Sequence, residues 1–425
     1  MSLRRRAFIR ALSAAPLAAG VANAAGPRVL QVATFPDLDR SAALAVPAFE
    51  RAHPGVRVRL TVLAYADFPT AMVTALAAGA NLPDLMGMDR EIVGQLADSA
   101  GLHDLSAEPF LAKRQARQIV PFALAAGHSR TGSLTAFPVD IGPGSLFYRG
   151  DLLQQAGLQE AELTASWAEF IRCGERLKVR NNGYLVANAG DIADVIVRSG
   201  LQPGEGVYFN AEGRPLVRAD RFEQAFDWAA RVRRAGIDAR VTAWSNEWAE
   251  GLRRGRIAAQ MFGGWFGGHL AKWIAPKAAG QWRCAHLPAG SFASWGGSYY
   301  AIPRGAREPA LAWDFLRALA LDPGQQLAAF TVQDAFPALA ATHADPLFDQ
   351  PVPYFGGQRV RQLWRDAAQR IPSVDADRHD RLARDVMSAA LERVLEHGDR
   401  IVDVLADAER RIIRRARIRT STGPA

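Results

Sequence analysis

The sequence predicts an α/β fold, and three observations carry that reading. Up to residue 89, short β-branched or alternating apolar runs change places with stretches whose apolar residues recur at helical spacing. The 425 residues correspond to two domains or one large one, and they rule out a single small module. A content of 49% hydrophobic and 22% charged residues, with 37 Gly and 24 Pro spread along the chain, excludes disordered, collagen-like and disulfide-scaffold classes.

The elements follow in order. Val29 to Phe35 is short, largely apolar and partly β-branched, as a buried strand is, and it stops at Pro36 and Asp37. Leu38 to His53 has helical spacing, with a kink expected at Pro47 and a stop at Pro54 and Gly55. From Val56 to Leu63, Val and Leu alternate with Arg57, Arg59 and Thr61, the pattern of a second strand. Phe68 to Ala78 reads as a helix halted by Gly79, and Pro83 to Asp89 as a short buried strand opening on a loop. Strand, helix, strand, helix, strand implies a parallel sheet. Farther along, Ser166 and Glu169 have the spacing of a capping box.

The two ends differ from the body. The chain carries +8, but Arg4, Arg5, Arg6 and Arg10 lie at one end and six arginines from Arg410 to Arg419 at the other; without those ten the body carries −2. A near-neutral body is a poor phosphate binder, so nucleic acid is not an expected partner. Residues 1–24 combine a basic start, a short apolar core from Ala11 to Val21 and a small-x-small site at Ala22-Asn23-Ala24, which predicts a cleavable signal peptide and export to the periplasm. Arg5-Arg6-Ala7-Phe8-Ile9-Arg10 resembles the twin-arginine motif. Gly20 stands where a lipoprotein signal needs Cys, so no lipid anchor is expected. No other stretch approaches the ~18 apolar residues of a membrane span. Cys173 and Cys284 can make at most one bond.

Several short runs occur in a recognisable order. These are Phe49 to Val56, Pro83-Asp84-Leu85, Ala136 to Val139, Leu146 to Leu153, Ser166 to Phe170, Ile257 to Trp265, Gly296 to Pro303, Ala312 to Leu316 and Phe336 to Ala338. Over about residues 28–410 the chain resembles the bacterial extracellular solute-binding proteins of ABC importers, the sugar-binding, maltose-binding-like kind. The resemblance implies a periplasmic-binding-protein type II-like fold with two lobes, a hinge and an interlobe cleft. One lobe would be 28–138 with 296–335, the other 139–295 with 336–412, followed by a basic tail at 413–425. It implies a monomer that binds a sugar or related polyol, needs no cofactor or metal, and delivers its guest to a membrane permease.

Sugars pack their C–H faces on aromatic rings and offer hydroxyls to carboxylates, amides and Arg. Phe35 closes the first strand, while Trp265 and Trp295 lie beside glycines that let backbone approach a guest; Gly297 is one of these. The alternative for Trp265 is a core position under the second lobe, and for Trp295 packing at the hinge. Asp140 falls at the lobe crossing, and Tyr65 and Asp67 follow the second strand. The resemblance adds Asp89, Phe355 and Arg359 as contacts; Asp89 reads alternatively as the cap of the next helix. Gly142 stands where maltose-binding relatives can carry a ligand-contacting acid, a departure that speaks against maltodextrin. Trp244 and Trp248, four apart, read as cleft aromatics or, with helical spacing, as core.

Enzyme motifs fail one by one. There is no His-Glu-x-x-His, no phosphate-cradling Gly-x-x-x-x-Gly-Lys, no dinucleotide fingerprint and no nucleophile elbow at Ser145. Glycoside hydrolysis, which needs only two carboxylates, stays as the rival. A changed cargo, ferric iron, polyamine or thiamine, is the other alternative. Iron would need a tyrosine pair, but Tyr299 and Tyr300 are neighbours in a strand and point to opposite faces; polyamine would need several cleft acids, for which only Asp89, Asp140 and Glu247 offer themselves.

Overall fold

The computed structural model describes residues 27–202 and 205–418; the expected signal peptide and the end of the basic tail lie outside them. The first strand, β1 (Arg28–Thr34), pairs in parallel with β2 (Val56–Val62) and β3 (Leu85–Asp89). The helices between them, Leu38–Ala52 and Phe68–Ala78, lie where the periodicity puts them, and Pro47 sits inside the first without ending it. Gly79 closes the second at φ +60, a left-handed position that glycine takes at no steric cost.

The sheet is not all parallel. Its order is β2-β1-β3-β9-β4, where β4 is Phe137–Pro138 and β9 is Ser298–Ala301, and both pairings of β9 are antiparallel. The expectation of a parallel sheet is corrected there. Parallel pairing needs a crossover that returns the chain to its starting end, whereas β9 enters from the opposite end after a long excursion.

That excursion builds a second sheet. Between β4 and β6 (Gly144–Arg149) lies the two-residue β5 (Asp140–Ile141); β6 then pairs antiparallel with β7 (Ala259–Gly263) and β8 (Trp282–Ala285). The chain passes from the first sheet to the second across residues 138–144 and returns between β8 and β9. It leaves again at β10 (Phe336–Pro337), which pairs with β5. Helix Val360–Arg370 then packs on β6 and β8.

Alternation along β6 divides the core. Leu146 and Tyr148 join one buried cluster, with Met261 and Ala285, while Phe147 turns the other way and joins Trp282, Phe266 and Trp364. That second cluster continues through Ile141 and Phe336 to Val32 and Met86 of the first sheet. Cys173 and Cys284 are both buried and unpaired, one in each cluster. Ser166 accepts the Glu169 N–H at 3.1 Å as the expected helix cap. Among the described residues, no helix is long and apolar enough to cross a membrane.

Candidate ligand-binding cleft

A cleft of about 560 Å³ opens where the two sheets face each other. One wall comes from the ends of the first three strands: Phe35 just past β1, Tyr65 past β2 and Asp89 at the end of β3. The other comes from the second sheet and its connections: Trp244, Phe262 and Trp265. Asp140, Trp295 and Gly297 line it on the segments that pass between the sheets.

The aromatic wall is a set of nearly parallel rings. Trp244 lies 5.5 Å from Phe262 and 6.0 Å from Trp265, centroid to centroid, at interplanar angles of 23° and 20°. Phe262 and Trp265 are 5.6 Å apart. Trp244 is half exposed, so the platform presents apolar surface to the cleft. Its anchor is the Trp265 indole N–H, which donates to the Trp295 carbonyl at 2.9 Å and so ties the β7 end to a crossing segment. Close packing there explains Gly142: a Cβ would meet the Trp295 carbonyl oxygen at 1.7 Å, so no acid of any kind fits.

The acidic side is built around Ser298. Asp89 faces Ser298 across the β3–β9 ladder, and the Ser298 N–H donates to Asp140 Oδ1 at 2.8 Å. Asp89 Oδ1 in turn accepts the Glu91 N–H at 2.8 Å and caps helix Arg90–Ala97. The two readings of Asp89 are thus compatible: one carboxylate oxygen caps, while the side chain lines the cleft. Burial pushes Asp89 up to about 6, with the Glu91 and Asp140 charges adding to it and the Glu91 N–H and Tyr65 hydroxyl opposing. Asp140 is also pushed up to about 6 by burial, against its bond from Ser298. Glu91 goes the other way: burial opposes ionisation, but Arg384, Arg198 and Arg381 together hold it below the usual range.

Three candidates stay outside the cleft. Phe355 is 2% exposed and packs against Phe147 and Trp364, so it is core, and the expected contact is corrected. Arg359 is exposed at the head of helix Val360–Arg370, and Asp67 is exposed before helix Phe68–Ala78; neither lines the cleft. Among the lining residues that the sequence did not mark as contacts are Phe262, Glu91, Asp37 and His269. Phe262 had a signal, since it precedes the Gly-Gly-Trp run; the others had none. Trp248 is fully buried and donates to Gln260 Oε1 at 2.8 Å, whereas Trp244, at φ +71 ahead of helix Asn246–Arg253, escapes the helix face that the spacing suggested. Tyr299 and Tyr300 are both buried, and Tyr299 donates to the Ala123 carbonyl at 2.8 Å; neither lines the cleft.

A carboxylate-and-aromatic cleft between two sheets joined by short crossing strands defines a solute-binding protein. Residues 33–326 match the bacterial extracellular solute-binding proteins, and the chain belongs to that family. A lactose-binding protein of Rhizobium radiobacter is 26% identical over 397 residues, covering 88% of this chain and 89% of its own. The crystal structure of an extracellular solute-binding protein of family 1 superposes with a TM-score of 0.81 at 24% identity, over 92% of this chain and all of that one. An ABC-transporter-associated binding protein of B. animalis subsp. lactis, in complex with β-1,6-galactobiose, gives 0.74 at 22% identity, over 92% and 98%. The fold is the periplasmic-binding-protein type II-like one.

Proposed function

We propose that this chain is the periplasmic substrate-binding component of an ABC importer, and that its cleft takes a sugar or related polyol. The observation that carries the reading is the pairing of the Trp244, Phe262 and Trp265 rings with the Asp89 and Asp140 carboxylates across one cavity. Rings accept the apolar face of a pyranose, and carboxylates accept its hydroxyls. The lactose-binding relative and the galactobiose complex support a saccharide. A cavity of about 560 Å³ suits a guest of disaccharide size.

In this reading the chain is two lobes, 28–138 with 296–335 and 139–295 with 336–412. They close about Val139, Gly296–Gly297 and Ala335, as hinge-bending binding proteins do. The guest shifts closure only by its differential affinity for the shut form, and the permease reads the shut form. Export by a twin-arginine signal, a monomeric state and a free, unlipidated chain belong to the same proposal. The guest leaves chemically unchanged, which separates the reading from a glycoside hydrolase.

A thermal-shift panel of mono- and disaccharides on the purified protein tests it. A bound sugar at a hundred times its Kd stabilises the fold by about 2.7 kcal/mol and raises the melting temperature, and it is recovered intact by chromatography. No shift with any saccharide or polyol, or cleavage of the one that binds, overturns the reading.

A further inference from the structure

The charges around the cleft are one-sided. Asp37, Asp89, Glu91 and Asp140 line it, and among the described residues no lysine or arginine does. The one imidazole present, His269, is pushed below its usual range by burial and is neutral at pH 7. Arginines stand behind two of these acids: Arg40 lies 3.6 Å from Asp37, and others lie behind Glu91 in a separate gap lined also by Tyr208, Asp380 and Arg381. There Arg384 pairs with Glu91, while the Arg198 guanidinium sits 5.5 Å over the Trp295 ring. Asp89 and Asp140 have no ion-pair partner in the described structure: Asp89 is met by the Glu91 N–H and the Tyr65 hydroxyl, and Asp140 by the Ser298 N–H and hydroxyl, all of them neutral donors. Two like charges thus flank Ser298 with no cation to compensate them.

Closing the cleft on a neutral guest removes water from those two carboxylates and supplies only hydroxyl donors. A cation would satisfy the same oxygens and cancel charge as well, and charge-assisted hydrogen bonds are the stronger kind. The opposite wall favours the same guest, because indole faces attract cations. Building on the saccharide reading above, we propose that this cleft selects a sugar carrying a protonated amine, the ammonium lying between Asp89 and Asp140 and the ring on Trp244 and Trp265. Acidic sugars are rejected by the same arrangement.

Matched pairs that differ only in an amine test this: lactose against galactosyl-β-1,4-glucosamine, and cellobiose against the β-1,4 glucosamine disaccharide. Each is titrated by calorimetry and tryptophan fluorescence at pH 7, with spermidine as a cation that has no sugar ring. We expect the amine member of a bound pair to bind at least tenfold more tightly, and that ratio to fall toward one in Asp140→Asn or Asp89→Asn. Equal or tighter binding of the hydroxyl member, or a ratio that survives both substitutions, overturns this inference and leaves the saccharide reading standing. Binding of spermidine with no response to any saccharide overturns the saccharide reading itself.

Discussion

The two ends of β3 carry acids five residues apart that live differently. Asp84, just before the strand, is 2% exposed, and its oxygens accept three backbone N–H groups, from Gln31 and Arg307 at 2.8 Å and Glu308 at 3.0 Å. Asp89, at the far end, accepts one N–H and turns to the cleft. Sequence, strand and residue type are shared; what differs is how far the fold fills the carboxylate's hydrogen-bonding capacity. Asp84 is filled by the protein and joins β1 to the segment after β9. Asp89 is left partly open at the carboxyl end of a parallel strand, where open α/β sheets put their ligands. A buried acid saturated by its own backbone is structural, and one left short keeps an oxygen with which, in the proposed reading, it meets a guest.

The largest effect should come from emptying the saturated end. Asp84→Ala orphans three buried donors, and at about 1–3 kcal/mol each, partly relaxed by water, the loss is on the order of 4 kcal/mol. Urea unfolding measures it, and the folded fraction should bind its guest with unchanged affinity. A loss below about 1 kcal/mol would erase the contrast. Next comes the aromatic wall that faces the open end. Trp244→Ala should weaken binding ten- to hundredfold, about 1.4–2.8 kcal/mol, with little cost to folding because the ring is already half exposed. Calorimetry beside a thermal melt separates the two, and equal affinity in the variant would remove Trp244 from the site.

Much of the first sheet was legible because its elements are local. The strand that became β1, the alternation of β2 and the helix Phe68–Ala78 with its Gly79 stop are each written in one short window. The direction of β9 was not, since it depends on where a chain some 150 residues later re-enters the sheet. The site divided the same way. Asp89, Asp140, Phe35, Trp265 and Trp295 sit at strand ends or crossings that motifs mark, and they line one cavity. Phe355 lies in a run the resemblance marks equally well, yet helix Val360–Arg370 folds Trp364 over it. Trp244 and Trp248 show the limit most sharply: their spacing says one helix face, and a single left-handed residue puts one ring in the cleft and the other in the core.

The smallest effect is the one that tests the open end itself. Asp89 and Asp140 stand at about 6 in the fold, above the roughly 3.9 of an unfolded aspartate. Between about pH 4 and 6 the native state therefore holds more protons than the unfolded chain, so these two groups cost stability as pH rises through that window, and the cost is complete above about pH 6. Asp140→Asn keeps an oxygen for the Ser298 N–H and removes the charge. At pH 7.5 it should be more stable than the parent by about 1–2 kcal/mol, allowing for solvent screening of a half-buried group. The advantage should shrink below pH 6 and vanish near pH 4, because there the parent's carboxyl is already neutral. Guest binding runs the other way: protonating Asp89 and Asp140 removes charged acceptors, so the guest-induced melting shift of the parent should fall as pH drops from 7.5 to 5. Melts of both proteins at pH 7.5, 6 and 4 decide it. A variant less stable than the parent at pH 7.5, or an advantage that does not change with pH, would mean that Asp140, on β5 beside the open end of β3, carries no uncompensated charge.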